Sequence, residues 1–490
     1  MGEQPIEDVL IVGGSLVGLS AACFLAHHGV TPLVIEKHAG TSIHPRAGYF
    51  HIGTLEAYRR IGLEPAILEA SYEQFGPDGG INLVESLAGR ELARFVPSIN
   101  AGVEPYSPSK RFFMTQQCLE PLLLGRAKEL GARLSYRSEL IGFEQDADGV
   151  TAEVRDLESG ETRTIRARYM IAADGWRSPV REALGIGMSG PGHLSDSITI
   201  YFKADCARWL EERPMGVIYV INADQRGFFR FEAGGTRGFL AVNTLGDLSL
   251  PGSTDVAGDV SRERCIELVR SAVGVPDMDV EIEDVAIWKA TAECAESFRK
   301  GRVFIAGDAA HVVPPTGGFG GNTGVQDAAN LGWKLAAVLQ GKADASLLDS
   351  YEQERVPTAQ LLVEQAYTRY VRRVTPEWLD ADTPALLDEL TLEIGPFYRS
   401  NAVAGGREPD QPACMHPDAI RGRAGARVPH AWLEDGRSTQ DVAAKEMTWV
   451  LGPEASGEGV RLSAATAEQC GIGRTGALLV RPDGFVAERR

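Results

Sequence analysis

The chain has 490 residues, is 44% apolar and 24% charged, and carries a formal net charge of −18 at pH 7. That length exceeds one compact domain and implies two or three, while the composition excludes wholesale disorder. An acidic balance of this size repels a phosphate backbone and excludes nucleic acid as a partner class.

Residues 1–8 are short and acidic, without the cationic start and apolar core of a secretory signal. Nowhere do about eighteen apolar residues run together as a membrane span requires. Seven scattered cysteines without CxxC spacing read as reduced, mostly buried thiols. The expectation is a cytoplasmic protein, monomeric or homodimeric, with no membrane partner.

Residues 9–12 (Val9, Leu10, Ile11, Val12) form a continuous apolar run, as a strand buried on both faces does. Gly13-Gly14-Ser15-Leu16-Val17-Gly18 follows at once. A helical pattern of Leu and Ala then runs to Gly29, and a second apolar run, Leu33-Val34-Ile35, ends in Glu36. Strand, glycine-rich turn, helix, strand and acid together make the context in which such a turn binds a dinucleotide. Gly13 makes the tight turn, Gly18 lets the helix approach the sheet, and the helix N-terminus faces the pyrophosphate. Ser15 stands where a second glycine is usual; it is small, and its hydroxyl can donate to phosphate. Glu36 suits the ribose hydroxyls of FAD or NAD better than a 2′-phosphate. The dinucleotide contacts expected here are Gly13, Ser15, Leu16, Gly18, Glu36 and Lys37.

Two later strands end in the same way. Residues 169–173 run into Asp174-Gly175, and residues 303–306 run into Gly307-Asp308. Between them lie short alternating runs (197–202, 216–221, 227–231 and 238–242), which predict a mainly antiparallel sheet. After Asp308 comes Pro314-Pro315-Thr316-Gly317-Gly318-Phe319-Gly320-Gly321-Asn322, then a helical pattern that stops at Gly341. Paired prolines stiffen this loop and its glycines admit a flat ligand. The helix N-terminus beyond it would stabilise an electron-rich ring such as a reduced flavin.

The turn at 13–18 with Glu36, Arg46, Gln116, Asp174-Gly175, Gly307-Asp308, the Pro-Pro-Thr-Gly loop and Tyr351-Glu352-Gln353-Glu354-Arg355 together resemble the single-component FAD-dependent aromatic hydroxylases. That group holds the 4-hydroxybenzoate, phenol and polyketide hydroxylases, and the likeness covers roughly residues 8–375. It implies an α/β fold: a Rossmann-type FAD-binding domain (1–75, 110–185 and 295–375) with an inserted, mainly antiparallel substrate domain (76–109 and 186–294). A helical segment and linker (376–429) would lead to a small thioredoxin-like C-terminal domain (430–490), short for its kind and suited to packing or a dimer contact.

The resemblance also implies site roles. Asp308 would bind the ribityl chain, Asn322 the flavin ring edge, and Gly307, Gly318, Gly320 and Gly321 the cofactor beside them. Arg46 and Gln116 would contact the cofactor, Asp174-Gly175 would support FAD and the visiting NADPH or NADH, and Pro315 would line the oxygen site. The implied activity is NAD(P)H- and O2-dependent hydroxylation of a phenolic or polyketide-type aromatic through a flavin C4a-hydroperoxide. A base near the phenol helps such chemistry, and His51 and Tyr49 are the candidates, with Tyr201, Tyr219 and Phe231 as substrate contacts. His311 reads as structural. Alternatives on the same frame are an epoxidase, a halogenase or an oxidative decarboxylase. No two of the seven tryptophans lie two apart, against the halogenase pattern. A non-catalytic FAD-dependent binding protein is a further alternative.

Overall fold

In the computed structural model, the described residues are 6–43, 48–211, 215–244, 255–405 and 412–490. Arg46 lies outside them. Glu7–Val12 is the central strand of the parallel part of a mixed eight-stranded sheet, flanked by Leu33–Glu36 on one side and Thr162–Ala172 on the other. Val303–Ile305 continues the sheet beyond Thr162–Ala172, and Arg133–Tyr136 continues it beyond Leu33–Glu36. Continuous apolar runs are needed because helices cover the sheet: Leu10, Ile11, Ile171 and Phe304 are fully buried. Helices Leu16–His27 and Phe319–Leu339 pack on each other beside it.

The inserted domain is an eight-stranded sheet. Its order is His311–Val312, Glu281–Ala295, Met188–Lys203, Arg237–Asn243, Arg226–Phe231, Met215–Ile221, Gly80–Val84 and Glu91–Val96. Every neighbouring pair is antiparallel except Met215–Ile221 with Gly80–Val84. Alternation splits its residues between two faces. Ile198, Ile200, Phe202, Ile218, Phe229, Leu240 and Val242 pack with Leu268 and Val269 of helix Arg262–Val273 in a separate core.

Helix Asp349–Val374 ties the two sheets together. At its start Tyr351 donates to the Ile305 carbonyl at 2.8 Å; near its end Tyr370 meets Ser195 at 2.6 Å and Arg373 donates to the Tyr219 hydroxyl at 3.1 Å.

The C-terminal unit is a four-stranded sheet ordered Val460–Arg461, Thr448–Leu451, Ala477–Val480, Val486–Arg489, with the short helix Ala464–Gln469 and its own small core. The stretch expected as a linker is packed wherever it is described. Glu393 of helix Glu389–Ile394 forms a buried pair with Arg111, and Arg427 forms one with Glu56. Buried, paired charges belong to a docked segment rather than a tether. All seven cysteines are free thiols and all but Cys118 are buried. Among the described residues no helix is long and apolar enough to cross a membrane.

Candidate flavin and substrate site

Four adjacent parallel strands deliver Glu36, Gly13, Asp174 and Asp308 to one edge of the sheet. Three strand spacings separate the outer two, roughly 14 Å. Gly13 has φ +103°, and a Cβ there would lie 2.2 Å from the Ala173 carbonyl oxygen, so only glycine brings these two strand ends so close. Glu36 is nearly buried and accepts from the Gly14 N–H at 2.7 Å and the His38 N–H at 2.8 Å, which orients its carboxylate beside the turn. Lys37 beside it is exposed.

Ser15 sits at the N-cap of the first helix, yet its hydroxyl turns sideways and donates to Glu120 at 2.5 Å. Gln116 donates to Ser15 at 2.8 Å and to Glu120 at 2.6 Å, and the Ser42 N–H donates to the other Glu120 oxygen at 2.6 Å. Glu120, which the sequence reading omitted, is the buried hub of this group. Its only sequence signal is spacing: it lies four residues after Gln116 on helix Gln116–Glu129, hence on the same face. Asp174 is spent locally. It accepts from Ser178 Oγ at 2.6 Å and from the Val180 N–H at 3.2 Å, and so anchors the short helix Pro179–Leu184, while burial pushes its carboxyl above the usual range. Gly175 turns the chain between them with φ +85°.

At the other end of the edge, Asp308 is exposed in the turn Gly307–Ala309. Beneath it, buried Asp327 accepts from the Gly307 N–H at 3.1 Å, from Arg355 Nε at 2.7 Å and from His311 Nε2 at 2.7 Å. His311 is thus structural, as expected, and Asp327 is the positioning residue that sequence reasoning missed. Arg355 holds the Asp327 carboxyl below its ordinary value despite the cost of burial.

The loop from Pro314 leads into helix Phe319–Leu339. Thr316 fastens it by donating to the Ala366 carbonyl at 2.8 Å. Helical geometry leaves the N–H groups of Phe319, Gly320 and Gly321 without intrahelical acceptors. They point out of the helix end beside exposed Pro315. Asn322 uses its whole side chain internally. It accepts from the His51 N–H (2.8 Å) and Thr54 Oγ1 (2.6 Å), and donates to the carbonyls of Tyr49 (3.0 Å) and Gly318 (2.6 Å). Contact between Asn322 and a ring edge therefore falls to its backbone.

His51, a candidate base, is held the same way. Its Nε2 lies 2.9 Å from the Gly317 carbonyl, it is 3% exposed, and burial pushes its pKa down to about 4. It is a neutral donor that steadies the glycine loop. Tyr49, the other candidate, packs against Phe113 at 5.1 Å between ring centroids, and a Cβ on Gly318 would lie 3.1 Å from its Cδ1. Its hydroxyl is buried with no hydrogen-bond partner among the described residues, and burial raises its pKa well above the ordinary value.

Tyr201, Tyr219, Phe228 and Phe239 share the sheet face opposite the separate core. They are half-buried and in ring contact: Tyr201 with Phe239 (6.0 Å), Phe239 with Phe228 (6.0 Å), Phe228 with Tyr219 (5.9 Å). Two of the three expected substrate contacts thus line one aromatic wall. Phe231 does not. It points to the other face, packed with Phe202 and Phe229 in the distal core, because its even spacing from Phe229 puts both on that side.

The edge fits an extended dinucleotide with a flavin at one end. A cradle closed to any Cβ at Gly13, an acid at each end and a helix N-terminus beside a glycine loop are its parts. A family model described as "FAD binding domain" matches residues 7–366. A 4-methyl-5-nitrocatechol 5-monooxygenase of Burkholderia sp is 50% identical, across 98% of this chain and 93% of that protein. A tetracenomycin A2 monooxygenase-dioxygenase of Streptomyces glaucescens is 36% identical across the same shares. Among solved structures, aklavinone-11 hydroxylase in ternary complex with FAD and aklavinone matches with a TM-score of 0.91 at 35% identity, covering 100% of this chain and 96% of that one. The chain belongs to the family of FAD-dependent aromatic hydroxylases and is a flavin monooxygenase.

Proposed function

We propose that this enzyme hydroxylates a small phenolic ring or a polyketide-type aromatic, using NAD(P)H and O2, in the cleft between the flavin edge and the aromatic wall. One observation carries the reading: Tyr49 lies against Gly318 of the glycine loop and packs on Phe113, and Phe113 stacks under Arg230 of the sheet face that also holds Tyr201, Tyr219, Phe228 and Phe239. Glu36 would take the ribose hydroxyls, the backbone at 13–16 the pyrophosphate, Asp308 the ribityl chain and the N–H groups at 319–321 the ring edge. Bound FAD would supply a two-electron store, filled by NAD(P)H, and the means to activate O2. One oxygen atom enters the ring and the other leaves as water, so the product gains one oxygen.

The protein's own residues do the rest. Aromatic side chains on the wall exclude water and orient a flat ring by stacking and edge contacts. The Tyr49 hydroxyl, which has no hydrogen-bond partner among the described residues, could exchange a hydrogen bond with the phenol of a bound ring. His51 is a positioning residue that keeps the loop in place through the Gly317 carbonyl.

The test is NADPH and NADH consumption by the FAD-loaded protein over a panel of catechols, nitrocatechols and polycyclic phenols, with product mass recorded. A compound that speeds consumption and emerges one oxygen atom heavier is the expected result. Consumption yielding only peroxide for every ring tested, or none at all, would remove the hydroxylase reading.

A further inference from the structure

Arg230 lies on the aromatic-wall side of strand Arg226–Phe231, paired in register with Phe239. It is 3% exposed. Its guanidinium carbon sits 3.9 Å from the centroid of the Phe75 ring and 3.6 Å from that of Phe113. Two aromatic faces hold it flat and give cation–π attraction, but they neutralise nothing. No carboxylate pairs with it among the described residues, and its Nε is buried without an acceptor. The other buried arginines differ: Arg111, Arg355, Arg427 and Arg481 face carboxylates, while Arg181 and Arg369 donate to carbonyl and amide oxygens. A buried cation left uncompensated costs several kcal/mol, so the fold carries a charge that something else must complement.

Its surroundings say where that partner would sit. Phe113, on which Arg230 stacks, also packs against Tyr49. Tyr49 in turn lies against Gly318 of the flavin loop, and its hydroxyl is the second buried polar group here without a partner. Two unmatched donors thus converge within one layer of side chains from the place where the ring is oxidised.

We infer that Arg230 and the Tyr49 hydroxyl form an anion subsite in the substrate cleft, which selects an ionised phenol or nitro-bearing ring over a neutral one. This rests on the hydroxylase reading for the position of the cleft, and it names the substrate class: acidic aromatics whose negative oxygen pairs with the guanidinium. A planar guanidinium fixed between two rings can donate two parallel hydrogen bonds to such oxygens. Placing the negative charge there also favours the ionised form of the phenol without a protein carboxylate acting as base.

The experiment compares Arg230→Met with the parent holoenzyme, without NAD(P)H, by difference-spectral titration of two probes at pH 8. One is 4-nitrocatechol, which is ionised at that pH, and the other is 4-methylcatechol, which is neutral. The expected result is an anion affinity at least about thirtyfold weaker in Arg230→Met, in line with losing one partner of a buried charge pair. The neutral probe should change less than about threefold, and Arg230→Lys should recover part of the loss. Should Arg230→Met not retain FAD, Arg230→Gln, which keeps the stem and a polar head, carries the same comparison. Equal loss for both probes would make Arg230 a packing residue and overturn the subsite, as would no loss for either. Turnover separates this from the broader reading. Selective anion binding without any oxygenated product would sink the hydroxylase reading alone, whereas hydroxylation unaltered by the substitution would sink the subsite alone.

Discussion

At the residue scale, His51 shows how burial changes a role. A histidine near the flavin loop suggests a base, but its Nε2 already serves the Gly317 carbonyl, and its pKa of about 4 keeps it neutral. The folded-state value lies below the ordinary 6.5, so unfolding takes up a proton between those limits. Stability from this group is complete above pH 6.5, falls as pH drops towards 4, and falls no further below that. The full loss is about 3 kcal/mol. His28 and His430 are also pushed down to about 4 by burial and add to the same acid limb. Replacing His51 by Gln keeps an N–H donor for Gly317 and removes the titration. Melting temperature measured from pH 7 to 4.5 should then decline less steeply than in the parent. An unchanged slope would assign the acid limb to the other two histidines.

At the scale of elements, the start of helix Phe319–Leu339 is held by Asn322 to the segment that enters helix Ile52–Arg60. Three of the Asn322 bonds, two accepted and one donated, cross between segments about 270 residues apart in sequence, and the two accepted ones are buried. Asn322→Ala would leave the His51 N–H and the Tyr49 carbonyl without partners, at about 1–3 kcal/mol each. We expect FAD affinity, followed by flavin fluorescence, to weaken at least about tenfold while the far-ultraviolet spectrum stays native. Affinity equal to the parent's would mean that the loop holds its shape without this clamp.

Across the whole molecule, a buried charge cluster docks the C-terminal unit. Glu354 accepts from Arg481 (2.6 and 2.8 Å), Lys334 (2.7 Å), Asn330 (2.7 Å) and Ser400 (2.6 Å), and Asp483 pairs with Arg481 in turn. Leu479-Val480-Arg481-Pro482-Asp483-Gly484 and the Tyr351-Glu352-Gln353-Glu354-Arg355 motif are therefore two halves of one contact. Lys334 is lowered to about 8 by burial and the adjacent arginine, while Arg481 holds Glu354 well below the carboxylate range. Breaking one partner of such a pair is costly because it strands the other charge. Arg481→Met should lower global stability by about 3–5 kcal/mol, read by urea unfolding. A loss under about 1 kcal/mol would mean the tail is loosely attached.

Much of this protein was legible in sequence because its signals are local. A glycine-rich turn between an apolar strand and a helix, and acids at the ends of three other strands, follow from spacings of a few residues. Those spacings predicted the Rossmann half, the shared sheet edge of Gly13, Glu36, Asp174 and Asp308, and the antiparallel insert. Alternation in Arg226–Phe231 separates Phe229 and Phe231 from Phe228 and Arg230, yet nothing in it tells which face is packed by a helix; only the packed sheet decides that Phe231 is core and Arg230 is not. The same holds for charges. Arg427 finds Glu56 from 371 residues away, so the supposed linker is docked. Asp327 becomes the support of the Asp308 turn only when Arg355 and His311 converge on it. Chain spacing determines the backbone devices that cradle the cofactor, whereas partnership between distant buried groups, and its absence at Arg230, is a property of the folded interior alone.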